Sequence, residues 1–527
     1  MQPKLVHDLL EQQAQLRPDS VLVIDGDQQA SYGEVEEAAN RMAGALLSQG
    51  IRRGDRIGLL AGNSREYIEA YYGILKSGAV VVSLNAAANW RSHCDLLNRC
   101  QARGLVCGGR LGRRVEGLDQ LEHLEFVFGT VADWEGKLEN TNGCRLLDTG
   151  LVLTSMESRA PGLSLSGEDR AAIVYTSGST GQPKGVTLRH TNLVANTRSI
   201  TSYPGLGPND RSFVILPLHY VYGKSLLNTH VAVGGSVVIE NMFLFPQKAL
   251  DHLQLTEATG LSGVPSTFAI LLNRSNFAER RLPSLRYVTQ AGGAMSPDLQ
   301  RRLLKALPGK QVFIMYGATE ASARLSYLEP RDLPRKIGSI GKPIPGVELR
   351  VLRGDGTEAA TDEVGELVAK GPNLMEGYWN DPEATSAVLD EQGYHTGDLA
   401  TRDEEGFLYL VGRRDELIKS GAHRIAPKEI EETLTMHPQI HEAAVVGVPD
   451  EILGEAICAF VSPRPDQRPD SLTLVAWCKT CLPSHKVPGS VRIVRELRRN
   501  AAGKIDKLAL LREAAATITQ SSCPQSV

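Results

Sequence analysis

The sequence predicts an α/β protein built of stacked subdomains, and three changes of texture along the chain carry that prediction. Over roughly the first 340 residues, short apolar runs alternate with stretches of helical periodicity, the mark of parallel sheets covered by helices. After about Gly341 the runs become short alternating strands separated by glycine turns, which suits a β-rich subdomain. From about Glu416 helices and strands mix in a smaller α+β region. A chain of 527 residues is too long for a single core, so two or more domains are expected. The expected division is a large N-terminal domain at 1–412, with its β-rich part at about 341–412, a small domain at 416–515 and a disordered tail at 516–527. The boundary falls in the charged stretch GRRDE, Gly412 to Glu416.

The elements follow in order. MQPKLVHDLLEQQAQLRPDS has no apolar core segment and reads as an amphipathic helix, not a signal peptide. SYGEVEEAANRMAGALLSQG has helical apolar spacing, DRIGLLA is a short strand, YIEAYYGILKSG is a helix ending at Gly78, and AVVVSL is a buried strand. The alternation recurs in SFVILPL, GSVVIEN, LRYVTQAGGA and QVFIMYGATE. Strand-to-glycine-loop junctions of this kind are where open α/β sheets place ligands. GVELRVL, GELVAKG and GFLYLVGRRDELIKSG supply the short strands of the β-rich part. PKEIEETLTMHP and SLTLVAWCKTCLP read as helices, and EAAVVGVPD and EAICAFVSPR as strands.

Composition narrows the function classes. The chain is 42% hydrophobic and 22% charged with net charge −4, ordinary for a soluble globular protein. It has no basic block to bind nucleic acid and no apolar run of membrane-spanning length, so a cytoplasmic enzyme is the expectation. Its 8 cysteines fit neither a disulfide framework nor paired zinc ligands. Cys478 and Cys481 share a helix face and read as small helical residues.

The chemistry concentrates in a few motifs. YTSGSTGQPKG, Tyr175 to Gly185, follows an apolar strand. Gly178, Gly181 and Gly185 permit close backbone approach, Thr176, Ser177, Ser179 and Thr180 add hydroxyls, and Lys184 adds a cation. A row of backbone donors at a turn cradles anions, although the spacing is not that of the usual P-loop. Tyr316-Gly317-Ala318-Thr319-Glu320 ends another strand, where a Thr-Glu pair suits a phosphate oxygen and Mg²⁺. Asp398, in YHTGD, suits a ribose diol. Gly412-Arg413-Arg414-Asp415 and RNAAGKIDK, Arg499 to Lys507, complete the set.

In this order the motifs resemble the adenylate-forming, AMP-binding superfamily of acyl-CoA synthetases, peptide-synthetase adenylation domains and luciferases. The matching stretches are YTSGSTGQPKGV, LPLHYVYG, YGATE, GSIGKPIPG, GELVAKGPNLMEGYWNDPEAT, YHTGDLA, GRRDELIKSGAHRIAPKEIE and RNAAGKI, spread over roughly residues 5 to 515. The resemblance implies a large N-terminal domain with a small mobile C-terminal lid. It implies an acid–thiol ligase that joins a small carboxylic acid to AMP, releases pyrophosphate, and passes the acyl group to CoA or to carrier-protein phosphopantetheine. ATP and Mg²⁺ are the implied cofactors. Thr176 to Lys184 would hold the β- and γ-phosphates, including Gly178 and Gly181. Thr319 would meet the α-phosphate, and Glu320 would hold the metal. Tyr316, Gly317, Gly292, Gly293 and Ala294 would surround adenine, and Asp398 with Arg413 the ribose. Lys504 would serve adenylation and Lys419 thioester formation, with Asp415 as hinge.

The acid pocket departs from the resemblance. In LPLHYVYG, His219 stands where relatives have an aromatic residue and Tyr220 where they have histidine. No aspartate lies between Leu216 and Ser225, which counts against an α-amino acid. Lys224 falls beside the expected pocket, either as a counter-charge to a polar or anionic group on the substrate or as a wall residue whose head group reaches water. The competing functions are a stand-alone enzyme that loads a separate carrier protein, an oxygenase of luciferase type, and a nucleotide-binding relative without catalysis.

Overall fold

A computed structural model describes residues 3–134, 143–177, 182–420, 423–450, 453–499 and 505–521. The chain divides into two compact units: residues 1–295, 299–349 and 369–394 form the first, and 296–298, 350–368 and 395–527 the second.

The first unit holds two large sheets. One has eight strands in the order Gly377–Tyr378, Pro183–Arg189, Arg170–Ser177, Val80–Ser83, Arg56–Leu60, Gly104–Cys107, Phe126–Gly129 and Arg145–Asp148. From Arg170–Ser177 to Arg145–Asp148 neighbouring strands run parallel. Val80–Ser83, Gly104–Cys107 and Phe126–Gly129 are buried along their whole length, as parallel strands covered on both faces must be. The other sheet has nine strands, with Arg211–Val214, Gly260–Gly263, Tyr287–Gln290 and Gln311–Tyr316 side by side and parallel.

Local sequence explains the helices that cover them. Ser31 caps Tyr32–Ser48 by accepting from Glu34 N, while Glu34 Oε2 accepts from Ser31 N, the reciprocal pair that S-x-x-E encodes. The helix buries Val35, Ala39, Met42, Ala43 and Leu46, a stripe at three- and four-residue spacing. Asp8–Leu16 likewise buries Leu9, Leu10 and Gln13.

The second unit carries a sheet in the order His423–Ile425, Ile418–Ser420, Gly454–Pro463 and Ile440–Asp450, with Ser490–Ile493 also pairing Gly454–Pro463. Helices Pro427–Thr435 and Ser471–Cys481 bury Ile430, Leu434, Leu474 and Cys478 in the core of this sheet. Cys478 is buried and Cys481 exposed, and both are free thiols. Burial pushes the Cys478 thiol up to about 11, away from the thiolate that metal or redox work needs. The last helix, Lys507–Ser521, runs past residue 516, where the sequence suggests a disordered tail. No glycine or proline interrupts the chain there before Pro524. Among the described residues no helix is long and apolar enough to cross a membrane.

Candidate active site

The expected phosphate loop sits on an antiparallel hairpin. Strand Arg170–Ser177 pairs with Pro183–Arg189, and Thr176 faces Lys184 across the ladder. The ladder therefore reaches further than the apolar run Ala171 to Val174 suggests, and both ends of the expected loop are strand residues. Tyr175, Thr176 and Val186 favour extended pairing, which accounts for the extra rungs. Gly178, Ser179, Thr180 and Gly181 lie outside the described residues.

A distant segment then joins the hairpin. Gly377–Tyr378 pairs with Val186 and Thr187, and this brings the Tyr378 ring to 5.0 Å from Lys184 Nζ. The Tyr378 hydroxyl donates to Glu320 Oε1 at 2.9 Å. One tyrosine thus connects the cation of the hairpin with the carboxylate of the YGATE turn. Among the described residues no lysine or arginine pairs with Glu320, and no group of three or more His, Cys, Asp and Glu side chains could hold a metal by itself. A single half-buried carboxylate beside a threonine fits Mg²⁺ that arrives with a polyphosphate, because that ion takes phosphates and waters for most of its ligands.

The YGATE turn is tightly closed. A Cβ on Gly317 would lie 1.9 Å from the Ala323 carbonyl oxygen, so only glycine lets the chain fold back there. Leu325 N donates to Tyr316 O at 2.9 Å and seals the loop. Ser322 (φ 56°) and Ala323 (φ 120°) take backbone conformations that L-residues avoid, at about 1–3 kcal/mol each. Asn373 holds the strained stretch by donating to Ala321 O at 3.0 Å and to Arg324 O at 2.9 Å. The Arg324 side chain is 2% exposed, and its guanidinium carbon lies 4.0 Å from the Tyr222 ring centroid.

Gly292, Gly293 and Ala294 follow strand Tyr287–Gln290 as an exposed loop, which Gln290 ties down by donating to Gly293 O at 2.8 Å. A Cβ on Gly292 would come within 4.0 Å of the Tyr222 ring. The Gly292–Ala294 loop, Tyr222 and Arg324 therefore share one neighbourhood.

His219 and Tyr220 form the turn that opens helix Val221–Val233, with ring centroids 4.2 Å apart. His219 Nε2 is buried without a hydrogen-bond partner. Burial, with Lys224 and His93 nearby, pushes its pKa down to about 3, so the imidazole is neutral. Lys224 is 2% exposed and does not reach water. Its ammonium donates to Ser83 Oγ at 2.6 Å and lies 5.0 Å from the Tyr71 ring centroid. Among the described residues no carboxylate pairs with it, and burial lowers its pKa to about 7. The cavity beside it, lined also by Thr197, Ser225, Asn228 and Ser322, measures about 10 Å³, room for one water at most. A roomier crevice holds Arg53, Asp169, Arg170, Arg189 and Glu376, whose charges already pair with one another.

In the second unit, Asp398 and Arg413 are cross-strand partners, with Arg413 Nη1 at 3.4 Å from Asp398 Oδ1. Glu366 accepts from Gly397 N at 3.2 Å and from Arg414 at 2.9 Å, and so fixes the YHTGD turn. Asp415 lies in the short turn Arg414–Glu416. Lys419 is exposed on strand Ile418–Ser420. Lys504 lies outside the described residues, although Arg499 and Ile505 on either side of it form an antiparallel bridge.

Sequence reasoning singled out Lys224 and passed over two residues. Tyr378 reaches Glu320 only through a strand pairing between distant segments, for which the sequence carries no local signal. Arg324 stands four residues after Glu320 in YGATEASAR, and that offset is the signal that could have found it.

Known proteins place this arrangement in a family. The AMP-binding enzyme family matches residues 10–379, and the AMP-binding enzyme C-terminal domain matches 429–504. A feruloyl-CoA synthase from Amycolatopsis sp is 31% identical over 494 residues, covering 94% of this chain and 96% of that protein. Among solved structures, the anthranilate CoA ligase AuaEII in complex with anthranoyl-AMP is similar with a TM-score of 0.88 at 26% identity, covering 98% of each chain. The o-succinylbenzoate CoA synthetase MenE of Bacillus subtilis, in complex with ATP and magnesium ion, gives a TM-score of 0.81 at 28% identity, covering 96% of this chain and 99% of that one. The chain belongs to the AMP-binding enzyme family, the adenylate-forming superfamily.

Proposed function

We propose that the protein is a cytoplasmic ATP-dependent acid–CoA ligase. It activates a small carboxylic acid as an acyl adenylate, releases pyrophosphate, and passes the acyl group to the thiol of CoA. The observation that carries this reading is the chain Lys184–Tyr378–Glu320, which sets a cation and a carboxylate around one phenol at the phosphate hairpin. Likeness to CoA ligases over nearly the whole length of both chains supports CoA over a separate carrier protein.

The first step joins two anions, a carboxylate and the α-phosphate, so positioning and charge neutralisation carry most of the catalysis. Thr176 to Lys184, with Ser177, Gly178, Ser179, Thr180 and Gly181 between them, cradle the β- and γ-phosphates. Thr319 donates to an α-phosphate oxygen. Glu320 is the residue that would hold Mg²⁺, and the bound ion neutralises phosphate charge. Tyr316, Gly317 and the Gly292–Ala294 loop flank adenine, and Asp398 accepts from the ribose hydroxyls with Arg413 beside it. His219, Tyr220 and Lys224 border the acid site. Lys504 meets the charge that develops between carboxylate and α-phosphate. Lys419 serves the thiol step after a domain rotation about Asp415.

The test is acid-dependent pyrophosphate release across an acid panel, with and without CoA. Lys504→Ala is expected to lose adenylate formation by ~10²–10³-fold and still make thioester from synthetic acyl adenylate. Lys419→Ala is expected to do the reverse. Loss of the same half-reaction in both variants would end the two-lysine reading. Pyrophosphate release with no thioester from CoA would replace CoA by another acceptor.

A further inference from the structure

Arg324 is a fully buried guanidinium that no carboxylate meets among the described residues. Its hydrogen bonds go to neutral partners. Nη1 donates to the carbonyl of its own neighbour Ala323 at 3.1 Å, and Nε donates to the thioether of Met315 at 3.4 Å. One face is covered by the Tyr222 ring at 4.0 Å, and the Tyr203 hydroxyl both feels its charge and hydrogen-bonds with it. A guanidinium carries five N–H donors and stays protonated at any ordinary pH. A charge of this kind, buried without an anion, is costly and rare.

The place it occupies gives it a use. Arg324 lies against the buried apolar cluster of Leu216, Tyr222, Leu226, Phe313 and Met315, with its guanidinium over the Tyr222 ring and its Nε on the Met315 thioether. Tyr222 belongs to the LPLHYVYG segment at the edge of the acid site and also borders Gly292 of the adenine loop. The backbone that delivers Arg324 is the strained stretch Ser322–Ala323, clamped by Asn373 and allowed by Gly317. A strained, tightly held turn that drives one cation into an apolar cluster marks a functional position.

We propose that Arg324 determines acid specificity by receiving a second carboxylate at the far end of the substrate, so that the preferred acid is a dicarboxylate activated at one end and held by Arg324 at the other. This rests on the ligase reading above. Arg324 presents two parallel N–H groups to such a carboxylate, with the Tyr222 ring stacked on its face.

The experiment measures pyrophosphate release for pairs of acids matched in size, each a dicarboxylate and its mono-amide, with the wild type, Arg324→Met and Arg324→Lys. The wild type is expected to prefer the dicarboxylate in kcat/KM by at least about 10²-fold. Arg324→Met is expected to lose that preference and to favour the mono-amide, and Arg324→Lys to keep part of it. Calorimetry of both acids on the wild type with AMP present gives the same ranking without any substitution and so guards against a variant that does not fold. A wild type that prefers the mono-amide, or an Arg324→Met enzyme with an unchanged ratio, overturns the assignment. Release of pyrophosphate with no acid of the panel overturns the ligase reading itself, a different and recognisable failure.

Discussion

The turn Leu216–Lys224 and the turn Tyr316–Arg324 each follow a strand of the same sheet, each fold back against a glycine, and each end in a buried cation that no carboxylate meets among the described residues. They differ in the cation. A buried lysine can lose its proton, and the pKa of Lys224, lowered to about 7, says that it does so near neutrality. A buried arginine cannot. Lys224 can therefore stay buried beside its 10 Å³ cavity as a neutral amine on Ser83, with no anion required. Arg324 keeps its charge, and among the described residues its partners are neutral groups and no carboxylate. Burial alone does not mark a substrate-binding cation; the chemistry of the head group decides.

The largest effects are expected from the glycines that make both turns possible. A Cβ on Gly317 would lie 1.9 Å from Ala323 O, and one on Gly223 would lie 2.3 Å from Pro217 O. Both contacts are with backbone, which cannot swing aside. Neither glycine has a positive φ, so the need is for space, not for a special conformation. Gly317→Ala and Gly223→Ala are each expected to cost about 3 kcal/mol or more, read as a fall in thermal midpoint of several degrees. A variant that keeps the wild-type midpoint would show that its turn yields, and the likeness between the two turns would fail.

The next effect separates the two cations by function. Arg324→Met is expected to lower kcat/KM for the native acid by about 10²-fold, and Lys224→Leu by less than about threefold with the acid preference unchanged. The opposite ranking would move the anion receptor to Lys224, the residue that its place beside LPLHYVYG first suggests.

How the two residues look in the sequence explains that first suggestion. Lys224 interrupts an apolar helix directly after a recognisable motif, so it stands out. Arg324 sits in ASARLSYLEP among small and polar residues, where an arginine looks like an ordinary loop charge. Its burial depends on Gly317 and on Asn373, which arrives from another part of the chain. The sheets were legible because parallel strands such as AVVVSL and QVFIM are apolar at all but one position each. The hairpin proposed to hold phosphates stood out by composition, but its last rungs and the Tyr378 link did not, because they depend on strand pairing that no local pattern encodes.

A third effect is a pH dependence that only one of the cations can have. The folded pKa of Lys224, about 7, lies below its ordinary value of 10.5. Below pH 7 the fold carries a buried ammonium. Between pH 7 and 10.5 the unfolded chain binds a proton that the folded chain does not, so rising pH favours the fold by up to about 1.4 kcal/mol per unit. Relative to Lys224→Leu, the wild type is expected to gain stability from pH 7 towards pH 10 and to be at its weakest below pH 7. The difference between wild type and Arg324→Met should stay flat over the same range. Denaturant midpoints at pH 6, 8 and 9.5 check both, and a flat Lys224 comparison would mean that its ammonium is stabilised by something other than Ser83.

The smallest effect tests that contact directly. Ser83 Oγ accepts from Lys224 Nζ at 2.6 Å and also takes part in a 3.1 Å hydrogen bond with the Tyr67 hydroxyl. The Tyr67 hydroxyl keeps a second acceptor in Leu218 O at 2.9 Å, so removing the Ser83 oxygen leaves the tyrosine satisfied and the lysine without a partner. Ser83→Ala is expected to cost about 1 kcal/mol. Because the lost hydrogen bond favoured the charged amine, the pH at which Lys224 gives up its proton should move further down, and the stability difference from wild type should be larger at pH 6 than at pH 9.5. Acid preference should not change, since Arg324 and the residues packed around Tyr222 are untouched. A Ser83→Ala enzyme with altered acid preference would join the two turns into one recognition site and return Lys224 to the substrate.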